Sequence, residues 1–431
     1  MKLRIENATL VMASGCRKSD LEITDERISC IGRPAEGSAP DRILDAAGSY
    51  VLAGFIDVHS NGIAGFDFTN GWFRNPDFLQ SREDYCKGLE QAARAYAACG
   101  VTRVLLTSLA APLEKLQDAL RWYASWRASD RSTYVAKNIP AGIYIEGTFI
   151  KEESFRGAHN SVYFNRPSIE LFENLQECAR GEIRVVNVAP EWGKAALALI
   201  SYLSRNQVIA AAGHTGSDGD TFRAAVDHGV RLAVHLFNGP TMGSFKPFFH
   251  GGALEAILRA QEVTAELIVD GYHVDPSYVL DALVRKGQDR IVAITDSMFA
   301  TRLKDLTEFS ILGVDGKVSE NGRYLEVKGR KNTLCGSVLT MDQAFANLLT
   351  WFTQDREGVW YENHTALSLE AALIKASALC SRNPPALLGM DQTGVIAAGN
   401  LADLVIADIT GPNPEYQLKV KKVFLKGREI V

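Results

Sequence analysis

Seven side chains in this 431-residue sequence have the types and placing that metal-assisted hydrolysis needs: His59, Asn61, Glu146, His214, His235, His273 and Asp296. Each lies in or just after a short apolar run. His59 ends VLAGFIDVH, Glu146 closes YIE, His214 follows QVIAAAG, His235 sits in RLAVHLF, His273 follows TAELIVDG and Asp296 closes IVAITD. Imidazoles and a carboxylate are the usual ligands of a borderline divalent ion such as Zn²⁺. Three protein ligands that leave a position open define a catalytic rather than a structural site. Glu146, His214 and His235 make such a set. An ion held there lowers the pKa of its water toward about 7. Asp296 can take the proton of that water and pass it to a leaving group. His273 can polarise the scissile carbonyl or hold the substrate. A lone histidine beside an apolar strand is ordinarily a satisfied core or loop residue, and His228, His250 and His364 read that way. Position separates the others, since they recur at strand ends. Asp57, two residues before His59, reads as an orienting partner rather than a ligand.

The elements that must carry these residues are a repeating alternation. The runs 51–59, 102–108, 141–147, 184–190, 207–213, 231–237, 264–271 and 291–296 are short and nearly all apolar, as parallel strands covered on both faces should be. Helical periodicity fills the gaps, as in EDYCKGLEQAARAYAACG (83–100), which ends in a capping Gly. Eight such units predict an α/β fold, a (β/α)8 TIM barrel, whose active site lies at the C-terminal ends of the strands. A doubly wound open sheet is the structural alternative, but it would show a Gly-rich phosphate turn after the first strand, and none is present. The first fifty residues and the last thirty or so read as short strands that pair into a small β-sandwich. The expected division is 1–50 plus 390–431 for that sandwich and 51–389 for the barrel. Residues 301–334 predict a hairpin over the barrel mouth, and MDQAFANLLTWF and SLEAALIKASALC predict amphipathic helices.

Composition narrows the function classes. With 46 Lys+Arg against 51 Asp+Glu the net charge is −5, and no basic run offers a phosphate-tracking patch, so a nucleic-acid partner is not expected. At 46 % hydrophobic residues the chain can bury a core, which excludes disorder for most of it. No apolar run is long enough to span a membrane, and the start lacks a signal peptide's apolar region. Seven scattered cysteines without a CxxC suit a reducing cytoplasm.

The motifs FIDVHSNG (55–62), GVTRVLLTS (100–108), YIEGTFI…GAHN (144–160), NVAPEW (187–192), GHTG (213–216), HLFNGPTM (235–242), VDGYHV (269–274), ITD (294–296) and GSVLTM (336–341) occur in an order that resembles the N-acetylglucosamine-6-phosphate deacetylase family of the amidohydrolase superfamily. The resemblance implies a (β/α)8 barrel with a β-sandwich from both termini, usually a homodimer. It implies that Glu146, His214 and His235 bind the principal metal and that Asp296 is the acid/base. It further implies that His159 and His273 contact the sugar or its acetyl carbonyl, with Asn238 and Gly239 at the sugar-phosphate end. Many amidohydrolases have His-x-His in the first strand, holding a second metal, and some members of this family have Gln-x-Asn and use one. Here the triplet is His59-Ser60-Asn61, a half-way form that points to one firm metal and a weak or absent second at His59 and Asn61. Tyr144 stands where the family commonly has His, and Thr148 where it commonly has Pro. The family typically reads the phosphate with an Arg in the loop matching 241–252, which here has none; Lys246 or His250 is left to replace it. The expected reaction is hydrolysis of the N-acetyl group of N-acetylglucosamine-6-phosphate with one divalent ion, Zn by preference. Another or an unphosphorylated N-acetylhexosamine, a different amide substrate, and a catalytically silent binding protein are the alternatives.

Overall fold

The computed structural model describes residues 1–32, 39–238, 250–361 and 363–431. Its centre is a closed ring of eight parallel strands paired in chain order. They are β1 (Phe55–Ser60), β2 (Val101–Ser108), β3 (Pro140–Phe149), β4 (Ile183–Val188), β5 (Ile209–Ala212), β6 (Val230–Ala233), β7 (Thr264–Ile268) and β8 (Ile291–Ile294). A parallel pair needs a crossover, and helices supply it: α1 (Arg82–Ala98), α2 (Leu113–Arg127), α3 (Ile169–Cys178), α4 (Lys194–Arg205), α5 (Gly219–His228), α6 (Ala253–Arg259), α7 (Pro276–Lys286) and α8 (Met341–Phe352). Every residue of β1, β2, β7 and β8 is buried, because helices cover the outer face and side chains fill the barrel. The ring closes between β1 and β8. There Asp296 N–H donates to His59 O and Asn61 N–H to Ser297 O, both at 2.9 Å. The seam of the barrel therefore runs through backbone that carries candidate site residues.

Two strands differ from the sequence expectation. The run 51–59 is not one strand, for Tyr50–Ala53 pairs with Leu404–Thr410 and with Lys2–Met12 in the terminal sheet. The chain changes sheets at Gly54, where a Cβ would stand 2.3 Å from Thr102 Oγ1, so only glycine permits that approach. The sixth strand stops at Ala233 rather than 237, because His235 and Phe237 take φ of 21° and 75° and leave the ladder.

The two termini meet in one eight-stranded sheet. Lys2–Met12 divides its partners there, pairing Arg42–Asp45 along its first half and Tyr50–Ala53 along its second. Leu3, Ile5, Leu21, Ile23, Val51, Leu404 and Phe424 form its apolar core. The expected hairpin is a four-stranded antiparallel sheet of Glu308–Ile311, Val314–Val318, Tyr324–Val327 and Leu334–Ser337, joined to the barrel by a bridge from Ser337 to Ser297. The two late helices fall at Met341–Phe352 and Leu369–Ser377. Among the described residues no helix is long and apolar enough to cross a membrane. All seven cysteines are free thiols.

Candidate active site

Glu146 lies in the second half of β3, and its side chain is almost fully buried. His214 follows β5 and His235 follows β6, both with positive φ (50° and 21°); Asp296, after β8, has φ 48°. Non-glycine residues rarely adopt such backbone, which costs on the order of 1–3 kcal/mol each and persists only where the surroundings fix it. Leaving the strand in this way frees these side chains from strict strand alternation. Asn187 of β4 braces two of the supports, donating from Nδ2 to Glu146 O at 3.0 Å and accepting from Gly213 N–H at 2.9 Å.

Hydrogen bonding assigns the tautomers. His214 Nδ1 lies 3.0 Å from Phe155 O, and His235 Nδ1 lies 3.0 Å from Asn238 O. A carbonyl oxygen only accepts, so both Nδ1 atoms carry the proton. In the neutral rings each Nε2 is then a bare lone pair. Yet these two atoms sit 3.2 and 3.0 Å from Glu146 Oε1, which is also an acceptor. Burial pushes the His214 pKa down to about 4, so that ring is neutral near pH 7. At His235 burial also opposes the imidazolium, but the Glu146 carboxylate outweighs it and raises that pKa. With both rings neutral, three lone pairs converge, an arrangement that suits a cation. Among the described residues these three form a group able to hold a metal ion, with ligand atoms all within 4.8 Å of one another. The donor set fits the ion the sequence implies.

His59 extends the cluster. Its Nδ1 lies 2.9 Å from Glu266 Oε2, while its buried Nε2 has no hydrogen-bond partner and lies 3.5 Å from both Glu146 Oε2 and Asp296 Oδ1. Burial opposes an imidazolium here, but the Glu266 and Glu146 carboxylates outweigh it and hold the His59 pKa well above its ordinary value. Asn61 Nδ2 donates to Asp296 Oδ1 at 2.8 Å, and its own buried Oδ1 has no partner among the described residues. Asp57 ligates nothing in this geometry. It accepts from Thr295 Oγ1 at 2.6 Å and so ties β1 to the strand-end of β8, in keeping with an orienting role.

His159 is set differently. Ala110 N–H donates to its Nδ1 at 3.3 Å, so the neutral ring carries its proton on Nε2, which lies 3.4 Å from Glu146 Oε2. His273 is held by Asp270, with Nδ1 to Oδ2 at 2.7 Å. Burial raises the Asp270 pKa, but the His273 imidazole and the backbone amides of His273 and Tyr272 together hold it below the usual range. Asp296 is raised from its ordinary value, first by burial, against the opposing pull of His59, with Glu146 adding to the rise.

These groups line one cavity of about 890 Å³, with Glu146, His159, His214, His235, His273 and Asp296 on its wall. Asn238 also lines it, and its buried Nδ2 has no partner among the described residues. Gly239 and Lys246 lie outside the described residues. His250 does not serve the cavity: it is exposed and pairs with Asp220 at 2.6 Å. Three supports escaped the sequence reading. Glu266 stood as a carboxylate inside the apolar run TAELIV, Asp270 three residues before a histidine, and Asn187 in NVAP. An ionisable group amid a buried parallel strand was the signal for the first.

A barrel with a metal-capable cluster at the C-terminal ends of its strands defines a class of hydrolases, and a model of the Amidohydrolase family matches residues 50–430. The chain belongs to the amidohydrolase family. It is similar to N-acetylglucosamine-6-phosphate deacetylase of Bacillus subtilis (strain 168), 29 % identical over 394 residues that cover 89 % of this chain and 87 % of that one. It is 27 % identical to N-acetylgalactosamine-6-phosphate deacetylase of Shewanella sp. (strain ANA-3), over 83 % of this chain and 79 % of that one. A structure of N-acetyl-D-glucosamine-6-phosphate deacetylase from Mycobacterium smegmatis, a mutant in complex with N-acetyl-D-glucosamine-6-phosphate, superposes with a TM-score of 0.79. It is 28 % identical, with 100 % of this chain and 98 % of that one covered.

Proposed function

We propose that this chain is a metal-dependent deacetylase that converts N-acetylglucosamine-6-phosphate to glucosamine-6-phosphate and acetate. The observation that carries the reading is the convergence of lone pairs from Glu146, His214 and His235 beside the buried carboxyl of Asp296. These three side chains would hold the ion, and zinc suits two imidazoles and a carboxylate. His59 Nε2, on losing the proton that Glu266 and Glu146 favour, and Asn61 Oδ1 would supply the ligand atoms of a second, weaker position. When bound, the ion supplies Lewis acidity, making water acidic near neutral pH and drawing charge from an amide carbonyl.

Asp296 takes the proton of the attacking water on its carboxylate and returns it to the amide nitrogen as the C–N bond breaks. Its raised pKa suits a group that must act first as base and then as acid. His159 offers an Nε2–H to the acetyl oxygen, where negative charge develops. His273, fixed by Asp270, and Asn238 Nδ2 hold the sugar. A cytoplasmic homodimer is the setting. A second reading, the galactosamine epimer of the same substrate, is favoured by the Shewanella relative.

Acetate release from N-acetylglucosamine, N-acetylglucosamine-6-phosphate and N-acetylgalactosamine-6-phosphate, followed side by side on metal-loaded protein, tests this. The expected result is turnover of the 6-phosphate of glucosamine above the other two. No acetate from any of the three, at full metal occupancy, would overturn the reading.

A further inference from the structure

The inserted sheet builds one wall of the reaction cavity, and two adjacent cations lie on it. The connection between Tyr324–Val327 and Leu334–Ser337 carries Arg330 and Lys331, and both line the cavity. Arg330 is fixed from beneath, its Nη1 donating to Gly157 O at 2.8 Å. Gly157 in turn packs on the metal-capable cluster, for a Cβ placed on it would stand 2.8 Å from His214 Cε1. One peptide unit therefore separates the guanidinium from a candidate ligand ring.

The charge on this wall is only partly compensated. Arg330 has no ion pair among the described residues, and the bond to Gly157 uses one of its five N–H donors. Glu326, the acidic group on the same wall, is taken by Lys317 at 2.8 Å. Arg156 adds a second guanidinium nearby. It is paired with Glu153 at 3.0 Å; after burial, the Arg156 charge is the next cause that lowers the Arg330 pKa, and Glu153 opposes it. Two like charges held together beside a cavity favour an anion between or in front of them. In a chain of net charge −5 such an anion must be drawn by a local site, since the overall field opposes it.

We propose that Arg330 and Lys331 are the anion subsite of this cavity and take the phosphate ester of the sugar substrate from within the same chain. The inference rests on the deacetylase reading above. It places phosphate recognition on the inserted sheet, whereas the sequence offered only Lys246 or His250 of the 241–252 loop. The planar fork of Arg330 suits two phosphate oxygens, and Lys331 adds a point charge.

The test uses full-length metal-loaded protein with substitutions Arg330→Gln, Lys331→Ala and both together. Arg330→Gln keeps an amide donor for Gly157 O and removes the charge. Two readouts are needed: KM and kcat for N-acetylglucosamine-6-phosphate and N-acetylglucosamine, and calorimetric binding of glucose 6-phosphate, which has no acetamide to hydrolyse. Arg330→Gln is expected to raise KM for the phosphorylated sugar by about ten- to a hundredfold with kcat little changed. The unphosphorylated sugar should be unaffected, and glucose 6-phosphate binding should weaken in parallel. Lys331→Ala should act in the same direction, less strongly. Glucose 6-phosphate binding unchanged in the double variant, or absent from the wild type, overturns the proposal; so does an equal loss on both sugars. If wild type releases no acetate yet binds glucose 6-phosphate through Arg330, the deacetylase reading falls and the anion subsite stands.

Discussion

Two of the places where a carboxylate packs against imidazole in this molecule have opposite meaning. Asp281 of α7 is fully buried and meets His364 Nε2 at 2.5 Å through Oδ1, while Oδ2 accepts from the amides of Val359 and Trp360 at 2.7 and 2.5 Å. Every contact there has a donor on one side and an acceptor on the other, so the cluster is complete as it stands. At the barrel mouth Glu146 meets two Nε2 atoms whose rings have already committed their protons to backbone carbonyls. With both rings neutral, three acceptors face one another. The difference teaches that burial and residue type do not distinguish a structural pair from a metal centre; the count of available protons does.

Removing Glu146 should have the largest effect. Glu146→Ala should abolish stoichiometric metal in the purified protein, read by elemental analysis, together with acetate release. Asp296→Asn comes next. It should keep the metal but lower kcat by roughly 10²- to 10⁴-fold, the usual worth of a positioned acid/base. A variant as fast as wild type would remove Asp296 from that role.

The structural pair should respond in the opposite sense. Asp281→Ala strands a partly buried imidazole and two amides and should cost about 3–5 kcal/mol in denaturant unfolding. The kcat/KM of the protein that remains folded should stay close to wild type. A loss of metal in this variant would erase the contrast. Asp270→Asn is the mildest. It weakens the charge-assisted bond that fixes His273 and should reduce kcat/KM by about ten- to a hundredfold, with metal content and stability nearly unchanged.

The contrast also explains what the sequence revealed. Buried parallel strands read as continuous apolar runs, so all eight barrel strands were visible, and the residues at their ends marked the mouth. Continuity hid the boundary at Gly54, because VLAGFIDVH is equally apolar where it belongs to the terminal sheet and where it enters the barrel. The early end of β6 was hidden for another reason: a positive φ at His235 comes from the site that surrounds it, not from histidine's own preference. Glu146, His214, His235 and Asp296 could be grouped from strand-end position alone. Two of their supports could not, since Glu266 of β7 and Asn187 of β4 reach across to neighbours distant in sequence, whereas Asp270 lies only three residues before the His273 it holds. Arg330 and Lys331 sit in a stretch with no periodic signal, and only the folded sheet brings them to the cavity.

The central claim is that the converging lone pairs of Glu146, His214 and His235 exist to hold a divalent ion on which deacetylation depends. Metal-free protein titrated with Zn²⁺, with bound ion and acetate release from N-acetylglucosamine-6-phosphate followed in the same samples, tests it most directly. Activity should be absent at the start and rise with the first tightly bound ion per chain, and Glu146→Ala should show neither. Undiminished hydrolysis by protein shown to contain no divalent ion would contradict it.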